Sequence, residues 1–158
     1  MSPTPETSSI AERELCTSRL LDAPPAAVYG AFADPAQLAR WWGPSGFTNT
    51  IEVFELRPGG EWRLTMHGPD GRDYANLSRF TEVQPGERIV FVHDEPHGFE
   101  MTLTFDATPG GRTRLGWRMR FESAEACERV RAVVVPSNEQ NIDRLAALLQ
   151  AQGAARPG

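Results

Sequence analysis

Four proline–glycine clusters do most to decide what this chain can fold into. Pro58-Gly59-Gly60, Pro69-Asp70-Gly71, Pro85-Gly86 and Pro109-Gly110-Gly111 punctuate its middle. Each joins a residue that presets a bend to one that tolerates positive φ. Between the clusters apolar residues recur with a period of two. Trp62, Leu64 and Met66 alternate with Arg63, Thr65 and His67, and Phe99, Met101, Leu103 and Phe105 with Glu100, Thr102 and Thr104. Leu115, Trp117, Met119 and Phe121 alternate with Arg114, Gly116, Arg118 and Arg120. Such alternation buries one face of a strand and wets the other, so the middle of the chain predicts a half-buried antiparallel meander. Strands around 51–57, 73–83 and 87–93 fill the gaps, and residues 13–21 could supply one more. Ile89, Val90, Phe91 and Val92 run nearly without interruption, which suggests cover on both sides.

Helical signals stand at the two ends of this pattern. Asp34-Pro35-Ala36-Gln37 combines an N-cap carboxylate, a proline at the first helical position and a glutamine placed to close a capping box. A short helix is expected from Pro35 to about Trp42, and another from Pro24 or Pro25 to near Ala33. Ser137-Asn138-Glu139-Gln140 is a second capping box. It opens a helix whose Ile142, Leu145, Ala146 and Leu149 recur at three- and four-residue spacing. Residues 124–134 are also helix-compatible, but Pro136 lacks a backbone donor and restrains Val135, so a break or kink is expected between the two. The order is strand, two short helices, a run of antiparallel strands, and a terminal helix. That is an α+β architecture of six or seven strands, whose apolar face needs the one long amphipathic helix as its cover.

With 158 residues, 40% of them hydrophobic and 23% charged, the chain is long enough to bury a core of ordinary size. One domain is expected over residues 11–151, with tails over 1–10 and 152–158. A net charge of -5 leaves no overall positive field for nucleic acid or an anionic bilayer, so neither is expected as a partner. No apolar run approaches a membrane span, and Ser2-Pro3-Thr4-Pro5-Glu6 is no secretory signal. Cys16 and Cys127 are too few and too far apart for a disulfide framework or a zinc knuckle. Read as two buried free thiols, they suit a reducing, cytoplasmic setting. A homodimer is a fair expectation on general grounds alone.

Chemistry-bearing motifs are sparse. His93-Asp94-Glu95-Pro96-His97 has a spacing that binds zinc on a helix, but Pro96 disfavours a helix there and the segment reads as a solvated turn. His67 alternates out of phase with Trp62, Leu64 and Met66 and should face away from them. No Gly-x-Ser-x-Gly elbow occurs, and neither cysteine has a neighbouring histidine to activate it. The glycine pairs are hairpin turns, not phosphate cradles. The stripe Arg112, Arg114, Arg118 and Arg120 reads as a solvated face paired with neighbouring glutamates. No metal and no cofactor is expected.

The residues themselves match a known family. Leu21-Asp22-Ala23-Pro24, Asp34-Pro35-Ala36-Gln37-Leu38-Ala39-Arg40-Trp41-Trp42-Gly43-Pro44, Leu56-Arg57-Pro58-Gly59-Gly60-Glu61-Trp62, Met66-His67-Gly68-Pro69-Asp70-Gly71 and Asp143-Arg144-Leu145 resemble the homologues of the activator of heat-shock-protein-90 ATPase. The resemblance covers about residues 13–150. It implies the START-like helix-grip fold, with a curved sheet wrapped around the terminal helix. It does not imply one activity, because that superfamily holds lipid carriers, hormone receptors and polyketide cyclases alike. Where relatives carry a glycine-rich entry into the last helix followed by an aromatic, this chain has Val133-Val134-Val135-Pro136.

The space between sheet and helix is therefore the expected site. Trp62, Met66, Met101, Leu103, Trp117 and Met119 are bulky and adaptable, while Tyr74, Asn76 and Gln140 could orient a guest. Trp41 and Trp42 are adjacent in sequence and cannot both face the same way, so one should be core and the other should line or lid an opening. Arg144 completes the candidate cavity set. A dry void of ~400 Å³ at roughly 24 cal/mol per Å³ would cost on the order of 10 kcal/mol, as much as a whole domain's net stability. Such a cavity must be wet, occupied or collapsed. The leading expectation is non-catalytic binding of a small hydrophobic or amphipathic molecule. A polyketide-cyclase-like enzyme would need an acid or base in the same space, with Tyr74, His67, Glu100 or Asp143 as candidates. A chaperone-regulating interaction module is the third reading, implied by the family's name.

Overall fold

The structure, a computed structural model, describes residues 12–93 and 98–155. Strand β1 (Glu14–Leu21) is followed by helices α1 (Pro25–Ala33) and α2 (Pro35–Trp41). Then come β2 (Thr48–Phe54), β3 (Glu61–His67), β4 (Asp73–Gln84), β5 (Arg88–His93), β6 (Phe99–Thr108), β7 (Arg112–Phe121) and α3 (Ala124–Ala155). The strands form one sheet in the order β1-β7-β6-β5-β4-β3-β2, every neighbouring pair antiparallel. Strands β2 to β7 are thus the expected meander, and β1 closes the far edge against β7. Because β1 and β2 lie on opposite edges, the two short helices carry the chain across one end of the sheet.

Register shifts at Ile51/Val53 in β2 and at Phe80/Glu82 in β4 each insert an extra residue, which bends a strand and raises its twist. The sheet so curved turns its apolar face toward α3. Leu103, Phe105, Leu115, Ile142 and Leu145 are all buried there, in a single core with Val28, Phe32 and Leu38 of the short helices. Polar contacts seat α3 on the β1 edge. Thr17 Oγ1 donates to Glu139 Oε2 at 2.7 Å, and Arg19 reaches both Glu139 and Asp143. Thr17 and Arg19 together hold the Glu139 carboxyl below its ordinary pKa. On the convex face, Arg120 pairs with Glu14 at 2.9 Å.

The Asp34 cap forms as expected: its Oδ1 accepts from the Ala36 N–H at 3.0 Å, and Gln37 Nε2 donates to Oδ2 at 3.1 Å. Pro136 is a correction. Helix α3 runs unbroken through it for 32 residues, about 48 Å at 1.5 Å per residue. The missing N–H frees only one carbonyl, that of Ala132, on a side where Ala132, Val133, Val135 and Pro136 are all exposed to water. Ser137 is consequently not a cap. It lies mid-helix and its hydroxyl donates back to the Val133 carbonyl at 2.8 Å. A second correction concerns the thiols: Cys127 is buried, but Cys16 is exposed on the edge strand, and neither is in a disulfide. Strand β2 begins and ends three residues earlier than expected, since the chain leaves the ladder after Phe54 and Arg57 N–H turns back onto the Glu55 carbonyl. The expected N-terminal tail over residues 1–10 lies outside the described residues. Of the other, 152–158, residues 152–155 continue α3 and the rest lie outside the description. No helix among the described residues is long and apolar enough to cross a membrane.

Candidate functional site

The site is built where α2 ends. Trp41 is the last residue of the helix, and Trp42 follows in extended conformation, with φ -67° and ψ 136°. The two rings nonetheless stay in contact, edge to face with 5.5 Å between centroids, and differ in what else surrounds them. Trp41 turns into the core, 2% exposed, and its Nε1 donates to the Ala31 carbonyl at 2.9 Å. Trp42 instead inserts between two strands' worth of aromatic rings, edge-on to Trp62 at 4.9 Å between centroids and stacked on Trp117 at 5.6 Å. Gly43 then takes φ +98°, and a Cβ there would stand 2.9 Å from the Met66 methyl. The methionine methyl could give way, but the positive φ is what calls for glycine here.

Helix α3 fixes this loop by its backbone. Arg144 Nη1 donates to the carbonyls of Trp42 (3.2 Å), Gly43 (2.9 Å) and Pro44 (3.0 Å), and Nη2 to that of Arg40 (3.0 Å). The guanidinium thus neutralises the carbonyl end of α2, and burial lowers its pKa from the ordinary arginine value. Asn141 Oδ1 accepts from the Gly43 N–H, and Gln140 Oε1 from the Ser45 N–H, both at 3.2 Å. From β2, Asn49 Nδ2 donates to the Trp42 carbonyl at 2.7 Å.

Between this loop, the sheet and α3 lies a cavity of two adjoining lobes. The inner lobe, about 170 Å³, is bounded by Trp42, Trp62, Phe91, Met101, Trp117 and Asn141. The outer, about 460 Å³, is bounded by Phe47, Tyr74, Phe99, Phe121, Val130 and Val134. Met66, Asn76, His93 and Met119 border both. Tyr74, 42% exposed, stands at the mouth. Asn138 Nδ2 meets Met119 Sδ at 3.4 Å and steadies that side chain. The Nε1 atoms of Trp62 and Trp117 are buried and have no hydrogen-bond partner among the described residues.

Of the twelve residues expected here, Trp42, Trp62, Met66, Tyr74, Asn76, Met101, Trp117 and Met119 border the cavity. Trp41 and Leu103 are packed in the core, while Gln140 and Arg144 hold the loop from behind. His93 corrects the sequence reading. The expected strand over 87–93 does end on it as β5, but it is not solvated: it is 5% exposed, on the inner face against Phe99 at 5.1 Å; residues 94–97 lie outside the description. The alternation Ile89, Phe91, His93 was the signal that could have found it. Asn138 and Asn141 were legible too, two turns and one turn ahead of Leu145 once Pro136 is allowed inside the helix.

Among the acid–base candidates, Tyr74 alone borders the cavity. Glu100 lies on the convex face opposite Arg120, and Asp143 pairs with Arg19. His67 is on the convex face as well, with Nε2 2.8 Å from Thr50 Oγ1 and Nδ1 2.7 Å from Asp73 Oδ1. That chain of contacts ties β2, β3 and β4 together outside the cavity. The described residues hold no cluster of three or more His, Cys, Asp or Glu able to bind a metal.

A comparison with curated proteins returned no match. Among solved structures, a Mycobacterium smegmatis protein is 30% identical, with a TM-score of 0.81 over 90% of this chain and 94% of its own. The AHSA1-like protein from Aeromonas hydrophila is 25% identical, with a TM-score of 0.71 over 91% and 98%. A Nitrosomonas europaea protein shares the fold at 23% identity, with a TM-score of 0.83 over 90% and 97%. The family model described as "Activator of Hsp90 ATPase homolog 1-like protein" matches residues 22–150, and with most of its length so matched the chain belongs to that family.

Proposed function

We propose that this protein binds a small hydrophobic or amphipathic molecule in the two-lobed cavity, without chemical turnover. The observation that carries the reading is the unfilled volume itself, walled by three tryptophans and three methionines and reached past Tyr74. Left dry, the inner lobe alone would cost about 4 kcal/mol at ~24 cal/mol per Å³. Water or a guest relieves that cost, and a mostly apolar wall favours the guest. Methionine supports adaptable packing, since its unbranched thioether fills irregular gaps.

Titration with hydrophobic probes, followed by tryptophan fluorescence, tests this reading. Trp42, Trp62 and Trp117 border the inner lobe, so a bound guest is expected to change the emission saturably. A broad set of probes that leaves the emission unchanged contradicts it. His93 favours a second reading, a cyclase-like enzyme, because its imidazole borders the cavity. Turnover of a guest that His93→Gln abolishes while guest binding persists would establish that reading over the first.

A further inference from the structure

On the convex face, away from the cavity, three side chains meet in a line across three strands. Asp73 of β4 lies opposite His67 of β3 in the ladder, and its Oδ1 stands 2.7 Å from His67 Nδ1. His67 Nε2 is in turn 2.8 Å from the Oγ1 of Thr50 on β2. Charge fixes the direction of these bonds. An ionised carboxylate can only accept, so Nδ1 carries the proton shared with Asp73. In the neutral imidazole Nε2 is then the lone-pair nitrogen, and the Thr50 hydroxyl donates to it. A hydroxyl donating to a histidine that a carboxylate orients is the arrangement that activates an oxygen nucleophile.

The setting decides what such a nucleophile can attack. Thr50 is exposed on the edge strand β2, and the register shift at Ile51/Val53 follows it directly; a bulge at a sheet edge re-aims a side chain. His67 and Asp73 are open to water as well, at 37% and 64% side-chain exposure, so an acyl donor can reach all three. Their contacts supply a base and its orienting carboxylate, and no oxyanion donor is among them. Without that stabilisation, the carbonyls within reach are those that already carry a good leaving group. The 16 basic residues are all arginine, so no lysine amine competes for the acyl group.

We propose that Thr50 is an acyl-acceptor site: its Oγ1 takes an acyl group from a small acyl thioester, with His67 as the base and Asp73 positioning it. The bond from Thr50 Oγ1 to the acyl carbon forms and the carbon–sulfur bond breaks. The hydroxyl proton passes to His67 Nε2 and from there to the departing sulfur, leaving a threonine ester and a free thiol. The site is separate from the cavity, and its test does not depend on guest binding.

Incubation of the intact chain with S-phenyl thioacetate, followed by acid quenching and peptide mass mapping, locates each acetyl group. Cys16, the exposed thiol, would exchange with the probe and is replaced throughout by Cys16→Ser. Thr50 is expected to be acetylated, while Thr48 and Thr65, which share its face, stay unlabelled. The labelling rate should fall at least about tenfold in Thr50→Val and His67→Gln, as loss of the nucleophile or the general base requires, and Thr50→Ser should retain it. Asp73→Asn should slow labelling as much, while nitrogen-15 NMR shows the His67 ring proton shifted from Nδ1 to Nε2. That tautomer change without a change in rate overturns the positioning role. Equal labelling of Thr48, Thr50 and Thr65 overturns the proposal, as does Thr50 labelling that His67→Gln leaves unchanged or acetyl found on His67 in Thr50→Val. If a variant does not fold, the map of acetyl groups over the three threonines of the chain with its native Thr50 still decides.

Discussion

Trp41 and Trp42 are consecutive in sequence and their rings touch edge to face, yet Trp41 belongs to the packed part of the interior and Trp42 borders its open part. At the Trp41 end, α1 and α2 press Val28, Phe32 and Leu38 against the sheet, and every large side chain there has neighbours on all sides. At the Trp42 end the short helices stop, the loop of residues 42–47 replaces them, and the same sheet and the same helix α3 face each other across open space. The difference teaches that the cavity does not arise from a special sheet. It lies where the seven-residue α2 ends in a loop that Arg144, Asn141 and Gln140 of α3 hold in place.

The contrast can be broken from either side. The largest effect is expected at the packed end: Trp41→Ala removes a fully enclosed ring and its hydrogen bond and should cost about 3–5 kcal/mol in urea unfolding. Trp42→Ala, whose ring already borders open space, should cost about 1–2 kcal/mol. Equal losses at the two positions would mean that both ends are packed alike. Next comes the tether between loop and helix. Arg144→Met removes a donor from four carbonyls, of which that of Trp42 keeps Asn49 and that of Pro44 keeps the Phe47 N–H; it should cost about 1–2 kcal/mol, and it should also weaken guest binding, because the loop that shapes the inner lobe is held less firmly. A stability loss with unchanged guest affinity would show that the loop keeps its position unaided.

Filling the open end sharpens the comparison further. Val134 borders both lobes from α3 and is only partly buried. Val134→Trp is expected to change stability by less than about 1 kcal/mol, within the range of tolerated packing changes, while reducing guest affinity at least tenfold, about 1.4 kcal/mol. The smallest effect concerns the edge that both ends share. Thr17 and Arg19 lower the Glu139 pKa, so the folded value lies below the unfolded one. The stability this contributes is present above the ordinary glutamate range and is lost as the pH falls through it and below. Glu139→Gln should flatten that part of the acid limb and leave neutral-pH stability changed by well under 1 kcal/mol, as for other half-exposed pairs. An acid limb unaltered by the substitution would remove Glu139 from the account.

Much of this contrast is legible in the sequence because a period of two is unambiguous. Trp62, Leu64 and Met66, or Leu115, Trp117 and Met119, can lie on one face only, and a seven-strand sheet with one apolar face must curve over a helix. The adjacency of Trp41 and Trp42 predicts rings that part; instead the rings meet edge to face, and only the difference in burial follows the expectation, Trp41 enclosed and Trp42 bordering the cavity. That depended on the backbone leaving the helix at Trp42. His93 was obscured by its neighbours: Asp94, Glu95 and Pro96 carry a strong turn signal, and it outweighed the alternation that runs through Ile89 and Phe91. Pro136 was misleading for a general reason. Local rules treat a proline as a helix stop, but one lost hydrogen bond on a solvent-facing side is a small cost for a helix whose Ile142 and Leu145 are already anchored in the core. The cavity's volume was not legible at all, since it depends on where a loop of α2 is held by Arg144, a contact between residues about a hundred positions apart.

The most direct measurement uses the chain's own methionines. Met66, Met101 and Met119 all border the cavity, so carbon-13 labelling of methionine methyls reports on the open end, while the methyls of Val28, Leu38 and Leu145 report on the packed end. On titration with 2-decanone, the three methionine signals should shift together and saturate at one guest per chain, with the packed-end methyls unmoved. Methionine signals that stay fixed at saturating guest, or shifts spread equally over both ends, would contradict the claim that this interior is closed at one end and open at the other.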